Sequence, residues 1–143
     1  MIFDLQTLLS NAQAVTADAA STNVLDLGAT GTVYGAAAAL GRNIGKGKKI
    51  PLLIQVVEAF NTLTSLEVKV QVSVDEAFTS PIQVATTGVI ALADLTAGKI
   101  FNIDAVPRDA DKRYFRLFYD ITGTAPTLGK ITAGVTMGIP SNG

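Results

Sequence analysis

Acidic side chains are the strongest candidates for chemistry in this sequence, because it contains no Cys and no His. The sequence therefore excludes thiol nucleophiles, Ser-His triads and His-based metal sites. Asp109 and Asp111 offer the oxygen ligands that Ca²⁺ takes, but the closing Glu of a calcium loop is missing. The cations Arg108, Lys112 and Arg113 neutralise them, so we interpret the segment as a charged turn. Paired carboxylates for glycoside hydrolysis stay open as an alternative, although the chain has few aromatics for a sugar cleft.

A Gly-rich loop over residues 35–49 holds the main cluster of cations, which are Arg42, Lys46, Lys48 and Lys49. Its G-x-x-x-G-K pattern is one residue shorter than a phosphate-binding P-loop, so the backbone cradle has the wrong size for a nucleotide. No aromatic lies among these cations, which leaves nucleic-acid bases no stacking platform. We interpret the loop as a solvated tip, with contact to an acidic protein partner as the alternative. No nucleotide cofactor and no nucleic-acid partner are expected.

Alternating patterns predict the strands that position the remaining candidates. Over Leu66–Val74 every second residue is apolar, which is the period of a half-buried strand. The same period over Arg113–Ile121 sends one set of apolar side chains to the core and leaves Tyr114, Arg116 and Phe118 on the other face. An outer face with two aromatics requires either a second sheet or a partner to cover it. These three residues and the four loop cations are the candidate partner contacts.

Other segments complete an all-β prediction. Alternation over Lys130–Ile139 predicts a last strand that Pro140 ends. Residues 50–59 also fit one face of a helix, but their β-branched residues favour a buried strand. Residues 1–11 are expected to form an N-terminal arm or a short helix. Shorter strands are predicted over Ala14–Ala17, Asn23–Leu27, Gln83–Ala85, Gly88–Ala93 and Lys99–Ala105.

Short strands separated by turn signals are typical of an antiparallel β-sandwich, and 143 residues suit a single domain over 1–143. Charged residues make up 16% of the chain, below the roughly 25% of soluble domains. We therefore expect other protein chains to cover part of the surface, for example in a homodimer or homotrimer. A formal net charge of −1 gives no field that gathers anionic lipid. Neither a signal peptide nor a transmembrane segment is expected.

Three stretches carry a resemblance to a known family. They are AVTADAASTNVLDLG near the start, IPLLIQVVEAFNTLTSLEVKVQVSVDEAFTSP in the middle, and KRYFRLFYDITGTAPTLGKITAGVTMGIP near the end. All three are similar to segments of the Bbp16-like capsid cement proteins of tailed bacteriophages, and together they cover most of the chain. The loop at Gly41–Lys49 takes no part in the resemblance.

The resemblance implies a jelly-roll-like β-sandwich that associates with itself, which fits a sequence in which we find no active site. Such a protein sits on the exterior of the virion, where it clamps neighbouring major capsid proteins after synthesis in the bacterial host cytoplasm. The alternative is a receptor- or glycan-binding β-sandwich of a virion. A lectin gathers its aromatics in the loops at one end, whereas the aromatics here fall mainly in predicted strands. We therefore expect a capsid cement protein without enzymatic activity.

Overall fold

The structure is a computed structural model that describes residues 2–41, 49–103 and 105–138. Three of the candidate contacts, Arg42, Lys46 and Lys48, lie outside the described residues. So does the end of the predicted last strand, at Ile139.

Nine strands cross the described part of the chain and form two antiparallel sheets. The strands are β1 (Phe3–Ala14), β2 (Ala19–Ala20), β3 (Leu25–Asp26), β4 (Leu52–Glu58), β5 (Leu63–Ser73), β6 (Ile82–Ala91), β7 (Ile100–Ile103), β8 (Tyr114–Gly123) and β9 (Lys130–Thr136), with a single 3-10 turn at Leu92–Asp94. One sheet, here the β4 sheet, has the order β1-β9-β4-β7. The other, here the β8 sheet, has the order β2-β8-β5-β6.

The strand order is that of a jelly roll. β2 and β3 pair in turn with the same strand, since Ala19 lies opposite Tyr119 and Leu25 lies opposite Phe115. Taken together as one interrupted strand, they leave two sheets of four strands each. Eight strands in two such sheets, connected as two Greek keys, define the jelly roll. The predicted antiparallel, jelly-roll-like sandwich is confirmed.

The core lies between the two sheets and follows the predicted alternation. Leu66, Val68, Val70 and Val72 on β5 are fully buried. The corresponding set on β8, with Leu117 at its centre, packs against them, and the inward residues of β4 and β9 close the core from the other side. Side chains of opposite sheets thus remove each other from water, which is the main favourable term in folding.

A buried polar network joins the edge of the β4 sheet to the β8 sheet. The Ser10 hydroxyl lies 2.7 Å from the Tyr119 hydroxyl and donates to Gln13 Oε1 at 2.7 Å. Because a serine carries a single hydroxyl proton, Tyr119 is the donor to Ser10. Gln13 in turn accepts from the Thr22 N–H at 2.8 Å and donates to the Ala20 carbonyl at 2.8 Å. The network fixes where β1 lies against the other sheet.

Of the two forms predicted for residues 1–11, an arm or a short helix, the helix is absent from the described residues. Residues 3–11 belong to β1, the edge strand that pairs with β9. Leu8, Leu9 and Ser10 are buried in succession while Leu5 is 82% exposed. Register shifts along the β1–β9 pair break the two-residue period, and the resulting leucine spacing imitates a helical face.

Two further strand predictions differ from the structure. Ala14–Ala17 is not a strand of its own, because Ala14 ends β1 and a bend follows, where Asp18 accepts the Ile121 N–H at 2.8 Å. The last strand ends at Thr136, so Met137 is exposed and does not face the core. The other short strands are present, and the two pieces predicted between residues 83 and 93 form one strand, β6.

Candidate docking surfaces

The three predicted contacts on β8 lie side by side on the outer face of the β8 sheet. Tyr114, Arg116 and Phe118 are half-buried, whereas the residues between them point into the core. The residues opposite Arg116 and Phe118 on β5 are Gln71 and Lys69. The division of β8 into a core face and an outer face is thus confirmed, while the role of the three residues as partner contacts remains a prediction.

The Arg116 guanidinium is held between aromatic rings. It lies 4.0 Å from the centroid of the Phe78 ring and 5.9 Å from that of Phe118. Its Nε donates to Gln71 Oε1 at 2.9 Å. Partial burial lowers the pKa of Arg116 from its ordinary value. Among the described residues no carboxylate forms an ion pair with it, so its charge is free to meet an anionic group.

A tight turn after β5 places Phe78 over this cation. Asp75 accepts from the Thr79 N–H at 2.8 Å and from the Thr79 hydroxyl at 2.9 Å. The Ser73 hydroxyl donates to the other oxygen of Asp75 at 2.8 Å. These bonds favour the charged carboxylate and hold the pKa of Asp75 below its usual range, with the Thr79 backbone as the largest cause. Phe78 takes a left-handed φ of 52° and is only 5% exposed.

The other cation beside Arg116, Lys69, is paired with two carboxylates. Lys69 forms ion pairs with Asp120 and, at 3.7 Å, with Glu67. Its hydrogen bond to Asp120 is the largest cause that raises the pKa of Lys69. The Thr86 hydroxyl donates to Glu67 at 2.6 Å. Among the described residues of this face, Arg116 is therefore the cation that no carboxylate pairs.

Arg113 connects the interrupted β2–β3 strand to the start of β8. It donates two hydrogen bonds to Asp26, both at 2.7 Å, and these bonds are the main cause that raises the pKa of Arg113. Its guanidinium also lies 5.0 Å from the centroid of the Tyr114 ring. The Arg113 side chain thus covers part of the Tyr114 ring, which leaves less of the ring accessible to a partner.

An exposed hairpin over residues 31–40 is a surface that sequence reasoning missed. Thr32 and Ala39 form an antiparallel bridge, and the Ala36 N–H donates to the Val33 carbonyl at 2.9 Å across the turn. Every residue from 29 to 41 is exposed. We call this segment the 31–40 hairpin. The sequence marked part of it only as a loop, because small residues without alternation do not predict strands.

The tip of the 31–40 hairpin presents apolar side chains to water. Tyr34 is 104% exposed, and Val33 and Leu40 are exposed by more than half. Gly35, with φ +80°, supplies the third position of a type II turn, which L side chains rarely adopt. The sequence places no charged residue between Asp26 and Arg42. A solvent-exposed apolar hairpin of this kind is a typical protein-contact feature.

A cavity of about 340 Å³ opens at one end of the sandwich, and its lining is apolar. Both sheets contribute to it, so it is a gap in the packing between them. Its walls include Leu25, Leu27, Ile50, Val106, Phe115 and Val135. Leu27 and Ile50 bracket the segment that contains the 31–40 hairpin.

Comparison with protein families identifies the chain. Residues 9–135 match Bbp16, a match over most of the sequence. The chain belongs to the Bbp16 family. Bbp16 is a phage-related family, and the resemblance carried by the three sequence stretches is confirmed. A comparison with curated proteins finds no match.

The Bbp16 match spans the Arg116 face and the 31–40 hairpin and begins after the first part of β1. Lys49, the remaining predicted cation, is exposed just before β4 and thus leads into the opposite sheet from Arg116. Within residues 2–41, 49–103 and 105–138 there is no cluster of three or more acidic residues that could hold a metal ion. No helix in those ranges has the length and apolarity to span a membrane.

Proposed function

We propose that this Bbp16-family protein is a capsid cement protein, which binds the exterior of a phage capsid and stabilises contacts between major capsid proteins. The observation that carries the proposal is the Arg116 guanidinium, which lies over Phe78, donates to Gln71 and forms no ion pair with a carboxylate among the described residues. A cation prepared in this way suits recognition of a carboxylate, because it loses little side-chain freedom on binding. Membership of a phage-related family and the jelly-roll sandwich support it.

The mechanism is addition of buried surface, without bond making or bond breaking. A specific contact buries about 1,200–2,000 Å² in total. Many identical contacts on one shell act together through avidity. A protein that binds only the mature lattice stabilises that lattice by mass action. We propose no enzymatic activity, no nucleic-acid partner and no membrane partner.

The proposed partner surface on the major capsid protein is acidic and partly apolar. An Asp or Glu opposite Arg116 would form a charge-assisted, bidentate hydrogen bond in a partly desolvated setting. The rings of Phe78 and Phe118 then shield the pair from water. Lys69 adds little attraction, since Asp120 and Glu67 already neutralise it.

We further propose that the protein self-associates, as a dimer or trimer, on the virion exterior. The low charge content and the exposed apolar hairpin support this. A virion protein that binds a receptor or a glycan is the second candidate, favoured by Tyr34 at the tip of a loop, where a sugar ring could stack.

Attachment to shells tests the proposal. Purified protein is mixed with empty shells of its own phage, both before and after expansion, and bound protein is measured by co-sedimentation. We expect saturable attachment to expanded shells, with a plateau at a fixed number of copies per shell, and little attachment to unexpanded ones. No attachment to expanded shells, together with specific binding on a glycan array, would instead support the receptor-binding candidate.

A further inference from the structure

Two apolar surfaces of this chain are exposed. One is the 31–40 hairpin, with Tyr34 and Val33 at its turn. The other is the cavity between the sheets, whose walls are apolar throughout. Burial of either surface against a partner is favourable, and neither surface carries charged groups that would select a charged partner. They are therefore matched in polarity.

The two surfaces also match in size. The cavity volume of about 340 Å³ falls at the lower end of the roughly 300–1,000 Å³ of small-ligand pockets. An aromatic side chain with part of its turn is an occupant of that scale. Thr7 lies at the rim, where its hydroxyl donates to the Asp4 carbonyl at 3.3 Å.

We propose that the 31–40 hairpin of one subunit inserts Tyr34 into the cavity of a second copy of this chain. In the structure Tyr34 is fully exposed, so the hairpin does not fill the cavity of its own chain. Chain extension from Leu27 to the tip allows a reach of about 20 Å at roughly 3.3 Å per residue. A reach of that order allows the tip to contact a second subunit that packs beside the cavity.

The connection of the hairpin to two cavity walls makes the exchange self-complementary. Leu27 and Ile50, at the two ends of the segment, are themselves walls of the cavity. If two subunits meet through the surface that carries these two residues, each hairpin lies at the cavity of the other subunit. The same surface is then used on both sides, as an isologous contact requires. The same surfaces arranged around a threefold axis would pass each hairpin to the next subunit.

This inference rests on the self-association proposed above and is independent of capsid binding. Tyr34→Ser tests the side chain directly. Because Tyr34 is fully exposed among the described residues, we expect the variant to keep its fold and free energy of unfolding. We expect its self-association constant to fall at least tenfold in sedimentation equilibrium, whereas Tyr34→Phe retains most of it. Equal association of the serine variant would overturn the inference.

Cysteine pairing locates the contact, since the chain has no Cys of its own. One population carries Tyr34→Cys and a second, with a tag of different mass, carries Thr7→Cys at the cavity rim. After mixing and mild oxidation we expect the covalent heterodimer as the main product. The matched control replaces Thr7→Cys with Val89→Cys, which is 75% exposed on β6 and is not one of the cavity walls.

Each result of the pairing decides the matter. Heterodimer with the rim cysteine and only background with Val89→Cys supports the exchange. Equal yields from both, or no heterodimer although thiol titration shows both cysteines accessible, overturns it. A Tyr34→Cys/Thr7→Cys double variant that closes only within one chain also overturns it. Light scattering separates the two proposals: an oligomeric mass without the cross-link leaves self-association standing, whereas a monomeric mass rejects both.

Discussion

The Arg116 guanidinium lies 4.0 Å from the centroid of the Phe78 ring, and Phe78 reaches that position from a turn outside the strands. A left-handed backbone at Phe78 and the hydrogen bonds of Asp75 hold the ring there. The cation is thereby fixed in direction and partly removed from water before any partner arrives. A contact of this kind gives specificity by charge and orientation together.

Replacement of Arg116 by Gln is expected to weaken attachment to expanded shells about tenfold, which corresponds to about 1.4 kcal/mol. The variant loses the charge that meets the partner's carboxylate but keeps a side chain that can reach Gln71. Its free energy of unfolding should change little. Arg116→Lys should bind with intermediate affinity, because a lysine keeps the charge without the planar fork.

The matched control for Arg116→Gln is Arg108→Gln, at an exposed arginine in the turn before β8. Both variants remove one positive charge, so a general electrostatic effect lowers binding equally. We expect co-sedimentation to show a loss only for Arg116→Gln, and a weaker salt dependence for that variant than for wild type. Equal losses would contradict the role given to Arg116.

Removal of either partner of the Ser10–Tyr119 hydrogen bond should lower the free energy of unfolding, but by different amounts. Tyr119→Phe removes a donor and leaves Ser10 bonded to Gln13, at a cost of about 1 kcal/mol. Ser10→Ala leaves the buried Tyr119 hydroxyl without its acceptor, at a cost of about 1–3 kcal/mol. Urea unfolding measures both. Ser65→Ala, at another buried serine, serves as control, and a smaller loss for Ser10→Ala than for Tyr119→Phe would reverse the assignment of donor and acceptor.

Burial of Tyr119 should make stability fall at alkaline pH. Desolvation raises the pKa of Tyr119 well above its ordinary value of about 10, because the phenolate is disfavoured in the core. Above pH 10 the unfolded chain releases this proton while the folded chain keeps it, so stability declines as pH rises. The decline for one such group is up to about 1.4 kcal/mol per pH unit.

Chemical unfolding at pH 8 and pH 11 checks this, with Tyr119→Phe as the reference. Wild type should lose more stability than the variant between the two pH values. In absorbance titration, one of the three tyrosines should ionise only as the protein unfolds. Parallel losses in wild type and variant would show that Tyr119 ionises freely in the folded state.

Gly134 should control how firmly β1 pairs with β9. A Cβ at this position would lie 3.0 Å from Leu8 Cα and 3.1 Å from the Thr7 carbonyl oxygen, both of which are backbone atoms. Gly134→Ala must therefore displace β1, and overpacking of this kind costs about 1–3 kcal/mol. Hydrogen exchange should quicken in β1 before it does in β5. Gly138→Ala, where a Cβ meets open space, should leave the exchange rates unchanged. A uniform loss of protection over all strands in Gly134→Ala would contradict this prediction.

Segments with one buried face could be predicted from the sequence. On β5 and β8 the two-residue period is uninterrupted over the central residues, because each side chain there has only a core side or an outer side. That period predicted correctly that Arg116 lies on the outer face and Leu117 in the core. The jelly-roll order entered through family resemblance, since alternation alone does not specify which strands pair.

The remainder depends on contacts that are distant in sequence. β1 was missed because bulges bury Leu8, Leu9 and Ser10 in a row, and the reason for burying Ser10 is Tyr119, more than a hundred residues away. Likewise no local pattern places Phe78 over Arg116. The 31–40 hairpin was not recognised because its small residues do not alternate in polarity and therefore predict only a loop.

The most direct test of the central claim is the disassembly temperature of expanded shells with and without bound protein, followed by calorimetry or light scattering as occupancy increases. If the protein acts as cement, the temperature rises with occupancy and stops rising at saturation, and Arg116→Gln reaches the same plateau only at higher protein concentration. Shells that bind the protein to saturation and still disassemble at the temperature of bare shells would contradict a cementing role.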